Sequence, residues 1–108
     1  MPRRKSVKIS MRSADKSLTV PAVLSPDGDG FVEIGNLPTL PGDRTYQLWA
    51  IIGGKRVSLG VLGPRFEVSA FRVNGGKVDL LAITAEDAPG VAQSDQAPVV
   101  AGEVPHTA

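Results

Sequence analysis

Cysteine is absent from this 108-residue chain, and histidine occurs once. The first absence excludes a disulfide framework and any cysteine-based metal site, while leaving the redox compartment open. The second leaves His106, close to the C-terminus, with no other imidazole or thiol to work with. Neither a nucleophile–base triad nor a transition-metal cluster can be assembled around it, and it reads as a solvated tail residue. An excess of either charge is missing too: 12 Lys and Arg stand against 11 Asp and Glu, a net +1. A nucleic-acid surface needs a basic stripe, so no nucleic-acid partner is expected. Met1-Pro2-Arg3-Arg4-Lys5 is too short to supply one and reads as a solvated basic terminus. No apolar run approaches the ~18–20 residues of a membrane helix or the ~7–15 of a signal-peptide core. If the protein is exported or anchored, the responsible segment is expected to lie outside this chain.

What the chain has in quantity is turn chemistry. Twelve glycines and nine prolines leave no room for a helical bundle. At this length a single domain can bury roughly 65% of its unfolded surface without staples. Val7, Ile9 and Met11 alternate with Lys8, Ser10 and Arg12, the period of a half-buried strand over residues 6–12. A second strand is expected over 17–24, where Pro21 implies an edge position or a bulge. Ser25-Pro26-Asp27-Gly28-Asp29-Gly30 is a turn, with Gly for positive φ and Asp for local hydrogen bonds. Asp27 and Asp29 also have the spacing that opens a calcium loop. Phe31 and Pro38 stand where the next ligands would be needed, which favours the plain hairpin.

A third strand starts at Phe31. Residues 44–52 then run without Gly or Pro and hold the only Tyr and the only Trp, as expected of a central strand. Its two faces, Tyr46, Leu48, Ala50 and Ile52 against Thr45, Gln47, Trp49 and Ile51, both carry apolar weight. Gly53-Gly54 signals a hairpin into 55–62, with Val57, Leu59 and Val61 expected on one face. Gly60 inside that run marks a bulge or a close approach by a bulky neighbour, for which Trp49 is the candidate. Residues 65–73 form the next strand, and Asn74-Gly75-Gly76 a turn. Residues 77–87 fit both periods, with strand favoured over helix. Residues 98–101 supply a short last strand. Seven or eight short strands at this spacing predict an all-β antiparallel sandwich. The expected organisation is a basic tail over 1–5, one domain over 6–103 and a tail over 104–108.

Catalysis finds no support. No Gly-rich phosphate loop stands between a strand and a helix. The carboxylates sit mostly in turns and form no convergent pair for glycoside hydrolysis. No catalytic, cofactor-binding or metal-ligating set is expected, and no cofactor.

The stretch Leu37-Pro38 through Gly42, then Thr45-Tyr46-Gln47-Leu48-Trp49, then Val57-Ser58-Leu59-Gly60-Val61, resembles the C-terminal domain of the RskA-type anti-sigma-K factors. Ile83-Thr84-Ala85-Glu86, the loop over 89–97 and Pro98-Val99-Val100 continue the likeness in order. Asp87 stands where that family usually has Pro, and Gly90-Val91 where it often has Gly-Gly. The likeness covers nearly the whole chain and moves 77–87 to strand. It implies a regulatory, non-enzymatic domain on the outer face of the cell membrane. The family is single-pass, with a cytoplasmic helical region that restrains an extracytoplasmic-function sigma factor until regulated proteolysis releases it. The implied partners are an envelope protease or other protein, and a sigma factor met only through a cytoplasmic region that this chain lacks. Within the motif, Leu37, Pro38, Tyr46, Gln47, Leu48, Trp49, Gly60, Thr84 and Glu86 are expected to be structural. Gln47 is expected to satisfy loop backbone groups, and the Trp49 indole N–H to need a partner. The alternative is a stand-alone β-sandwich that binds an envelope protein, peptide or polysaccharide. Edge strands would be the binding surface in either case, and would allow self-association.

Overall fold

In the computed structural model, residues 6–74 and 77–105 are described. The basic start, the tip Gly75-Gly76 of one expected turn, and His106 lie outside the described residues. Among the described residues eight strands follow one another: β1 Val7–Arg12, β2 Thr19–Leu24, β3 Asp29–Glu33, β4 Arg44–Ile52, β5 Lys55–Gly63, β6 Val68–Arg72, β7 Leu80–Asp87 and β8 Val100–Glu103. All pairs are antiparallel, in the order β5-β4-β7-β8-β1-β2-β3-β6. Among the described residues there is no helix. The all-β antiparallel fold is as the turn spacing implies. Its two layers are halves of one sheet that folds over to a nearly closed barrel-like form. The halves are joined by β8, which pairs with β7 from Leu80↔Glu103 to Ile83↔Val100 and with β1 at Arg12↔Ala101.

The alternation in each strand decides what goes inside. Ile9 and Met11 of β1, Val20 and Ala22 of β2, Val32 of β3, Tyr46, Leu48 and Ala50 of β4, Leu81 and Ile83 of β7 and Val100 of β8 meet in one core. Fully burying the Val, Leu, Ile and Met side chains among them contributes about 1.5–3 kcal/mol each, the main term holding the halves together. β7 is a strand and not a helix. It lies between β4 and β8, so both of its edges are paired, and residues 81–84 are all buried, so both of its faces are covered as well.

Three local expectations need correction. β2 is interior, between β1 and β3, and not an edge. Pro21 is tolerated because pairing with β3 begins only at Ala22. The side chain of Asn36 serves the uncovered part of the strand instead, its Oδ1 accepting the Thr19 N–H at 2.7 Å. Second, Val57, Leu59 and Val61 do not share a face. Bulges opposite Tyr46/Gln47 and Leu48/Trp49 interrupt the β4–β5 ladder. The residues they leave without a partner, Leu59 and Leu62, pack on the core. Val61 lies opposite Gln47 on the outer face and Val57 opposite Ala50, so the alternation reverses between them. Third, of the two readings of Gly60 the bulge holds, but no bulky neighbour packs over it. A Cβ there would meet nothing within 4 Å, and the residue is glycine because the bulge holds it at φ +134°.

The hairpin reading of residues 25–30 is the correct one. Ser25 N–H donates to the Asp29 carbonyl at 2.8 Å and Gly28 N–H to the Ser25 carbonyl at 3.1 Å. Asp27 accepts from the Ser25 hydroxyl, which holds its carboxyl below the usual carboxylate range, and Asp29 is ion-paired with Arg72. Both carboxylates are therefore engaged by protein groups, Asp27 by the Ser25 hydroxyl and Asp29 by the Arg72 guanidinium. Among the described residues, no group of three or more His, Cys, Asp or Glu is placed to hold a metal ion. At the other end of the domain the ladder runs one residue into the stretch read as a tail. Val104 is buried, and its N–H donates to the Asp79 carbonyl at 2.9 Å.

Candidate functional site

The motif residues separate onto the two faces of β4. On the inner face Leu48 is fully buried and Tyr46 nearly so. The Tyr46 ring meets Phe66 edge-on, with centroids 6.3 Å apart. The Tyr46 hydroxyl donates to the Pro38 carbonyl, so the strand ties back to the proline elbow that leads into it. Leu37 of the same elbow is buried in the core, and Leu40 N–H donates to the Pro64 carbonyl at 2.9 Å. Burial pushes the Tyr46 phenol pKa up, since a phenolate would lose solvation there.

The outer face of β4 and β7 is unusual in being buried and largely polar. Thr45, Gln47, Thr84 and Glu86 are each at most 5% exposed, and Trp49 is fully buried among them. Cross-strand register sets Thr45 opposite Glu86, Gln47 opposite Thr84 and Trp49 opposite Ala82. The Trp49 Nε1–H donates to Thr84 Oγ1 at 2.9 Å. Thr45 Oγ1 accepts from the Gly63 N–H at 2.9 Å, satisfying a donor that the bulge in β5 takes out of the ladder. A polar group buried without a partner would cost about 1–3 kcal/mol, so these pairings are what makes such a face tolerable.

Residues 88–99, a strap between β7 and β8, lie over this face. They begin at a cis Ala88–Pro89 peptide bond. Gln47 is the principal anchor. Its Nε2 donates to the Val91 carbonyl at 2.8 Å and to Ser58 Oγ at 2.9 Å, while its Oε1 accepts the Val91 N–H at 3.0 Å. One buried amide thus reads both backbone groups of a single strap residue. Farther along, the Ser94 hydroxyl donates to the Glu86 carboxylate, and Arg56 Nη1 donates to the carbonyls of Ser94 and Gln96. Arg56 and Ser94 escaped the sequence reading, and Ser58 and Val91 entered it only as positions of the resemblance, with no role given. The one signal for them was a basic residue following Gly53-Gly54 opposite the outer-facing Ile51. Side chains that bond only to a distant loop leave no spacing to detect.

Residues 3–104 match the family model described as anti-sigma-K factor rskA, C-terminal. The chain belongs to that family. It is an anti-sigma factor C-terminal domain, and such domains are regulatory in kind. No curated protein and no solved structure matched. Of the motif residues, Gln47, Trp49, Thr84 and Glu86 gather on the outer face of this domain. Leu37, Pro38, Tyr46 and Leu48 gather at the elbow and core, and Gly60 stands apart in the β5 bulge.

Proposed function

We propose that this domain is the extracytoplasmic sensory part of a membrane-anchored anti-sigma factor, acting through regulated proteolysis and not as an enzyme. The observation that carries this reading is the family match over residues 3–104. Among the described residues, no helix is long and apolar enough to cross a membrane, so anchoring would fall to another segment. Contact with an extracytoplasmic-function sigma factor would likewise belong to a region outside this chain. The motif residues serve the scaffold in this reading. Each polar one on the outer face already has a protein partner, leaving no spare group aimed at a substrate. The element offered to an envelope protease is the strap, because side chains and not a strand ladder hold its middle.

Protease added to spheroplasts expressing the full-length protein, with mass mapping of the fragments, tests location and loop together. The expected first cut falls within residues 87–97 before lysis. Cleavage only after lysis overturns the extracytoplasmic placement. Cuts confined to the domain termini overturn the strap as the element presented.

A further inference from the structure

The strap ends in β8, and β8 is the strand on which the sheet closes. It is four residues long, yet it pairs with β7 on one side and with β1 on the other. Among the described residues no register pair links β7 directly to β1. The segment fills its slot with a distinct pattern. Val100 and Gly102 lie opposite the core residues Ile83 and Leu81, and Val104 is buried two positions on. Gly102 is the tight point. A Cβ there would sit 2.6 Å from the Ser10 carbonyl oxygen and 3.1 Å from the Met11 Cα, both backbone atoms of β1. The slot therefore takes an extended segment of the form Val-x-Gly-x-Val, and rejects a side chain at the middle position.

The way β8 is tethered sets it apart from the other strands. Between Gly90 and Val99 no described strap residue donates a backbone N–H to another backbone carbonyl, and the anchors are Gln47, Arg56 and Glu86. Backbone pairing resumes only at Val99, whose N–H donates to the Ile83 carbonyl at 2.8 Å.

We infer that the β7–β1 slot is a strand-acceptor site, occupied here by the chain's own residues 99–104, and that a single cut in the strap turns this occupant into an exchangeable ligand. Severing the tether replaces an intramolecular contact of about millimolar effective concentration by a bimolecular one. Loss of β8 leaves the facing edges of β7 and β1 unpaired, each able to accept an extended segment. Proteolysis would then part the sheet between its halves, instead of merely nicking a loop. The use of this device in the cell rests on the proteolytic reading above, but its physics does not.

The test inserts the recognition sequence of a site-specific protease between Ala92 and Gln93 of the full chain, away from the Val91 and Ser94 anchors. After cutting and dilution, the C-terminal fragment is expected to leave. Amide exchange over residues 7–12 and 80–87 should rise by about tenfold or more. A synthetic peptide of residues 98–105 should restore protection, and its Gly102→Val version should not. Global unfolding of the cut chain still supports the inference if the peptide refolds it. Retention of the fragment with unchanged exchange overturns the inference, as does equal rescue by the Gly102→Val peptide. A second arm needs no cut. The uncut G102V chain should expel its own strand and bind the wild-type peptide, regaining thermal stability, whereas the wild-type chain should bind none. No binding by G102V overturns the acceptor site. Because no native protease is used, a failure here is distinguishable from a failure of the proteolytic reading.

Discussion

Replacing Gln47 by Glu changes one buried atom from a hydrogen-bond donor to an acceptor and leaves the shape of the side chain almost intact. Nε2 currently donates 2.8 Å to the Val91 carbonyl and 2.9 Å to Ser58 Oγ. In the variant, a carboxylate oxygen would face the Val91 carbonyl oxygen, while the Ser58 hydroxyl could rotate to donate. The expected cost is one lost hydrogen bond, about 1 kcal/mol, plus a buried acceptor left unsatisfied, about 1–3 kcal/mol. A total near ~3 kcal/mol is a large share of the ~5–15 kcal/mol typical of a domain. At ~4–8 °C per kcal/mol for this size, the melting temperature should fall by roughly 12–24 °C. The pH dependence carries the sharper sign. Desolvation raises the new carboxyl above its unfolded value of about 4.3 in the folded state. Its protonated form can donate to Val91, so the variant's deficit should be smallest below that unfolded value. The deficit should grow as pH rises through the raised folded pKa. Gln47→Leu should be destabilised without that dependence. Calorimetry between pH 4 and 7, with hydrogen exchange at the Val91 amide, measures both effects. A Gln47→Glu chain within about 0.5 kcal/mol of wild type at pH 7, the ordinary scatter of surface substitutions, would refute the anchoring role.

Two further outcomes follow from the same geometry. Gly60→Ala and Gly60→Leu should cost nearly the same, about 1–3 kcal/mol, because the penalty comes from φ +134° and the space around a Cβ is open. Denaturant melts showing Ala neutral and Leu costly would restore a steric explanation. Tyr46→Phe should lose about 1 kcal/mol with the hydroxyl bond to Pro38. It should also remove part of the alkaline transition. The folded phenol pKa is raised, so its contribution is complete below pH 10.0, the ordinary tyrosine value, and is lost as pH rises through the folded value. Equal alkaline midpoints for wild type and variant would contradict this.

Much of the fold was legible because its signals are local. Alternation in β1, the uninterrupted run of β4 and the Gly-Gly hairpin depend on neighbouring residues, and each strand lies within a few residues of its sequence-based range. Three features were not legible, and for one reason: each depends on what a distant strand does. Pro21 obeys the general rule for prolines in sheets only because β3 starts pairing one residue later. Gly60 does signal a bulge, but that two bulges reverse the alternation midway through β5 is visible only in its register with β4. The outer face of β4 reads as mixed apolar and polar. Only the strap, some forty residues on, shows why Gln47 and Trp49 can both be buried there.

The contrast between the two faces of β4 bears on which part of the domain opens first. The inner face is held by a core that spans both halves of the sheet, so opening it means losing the fold as a unit. Five hydrogen bonds made by the side chains of Gln47, Arg56 and Glu86 hold the middle of the strap on the outer face. At about 1 kcal/mol net for a typical bond, and more where a charge takes part, their sum is comparable to the low end of a domain's global stability but not to a core. Bonds to carbonyls that can turn to water are also replaced as they break. Local opening of the strap should therefore precede global unfolding. What stops such an opening from running into the core is the anchoring of Val100 and Val104 beyond it. A cut in the strap leaves those two side chains in place but removes the tether that returns them. Small polar anchors before a short apolar strand thus let a single scission act on the whole sheet.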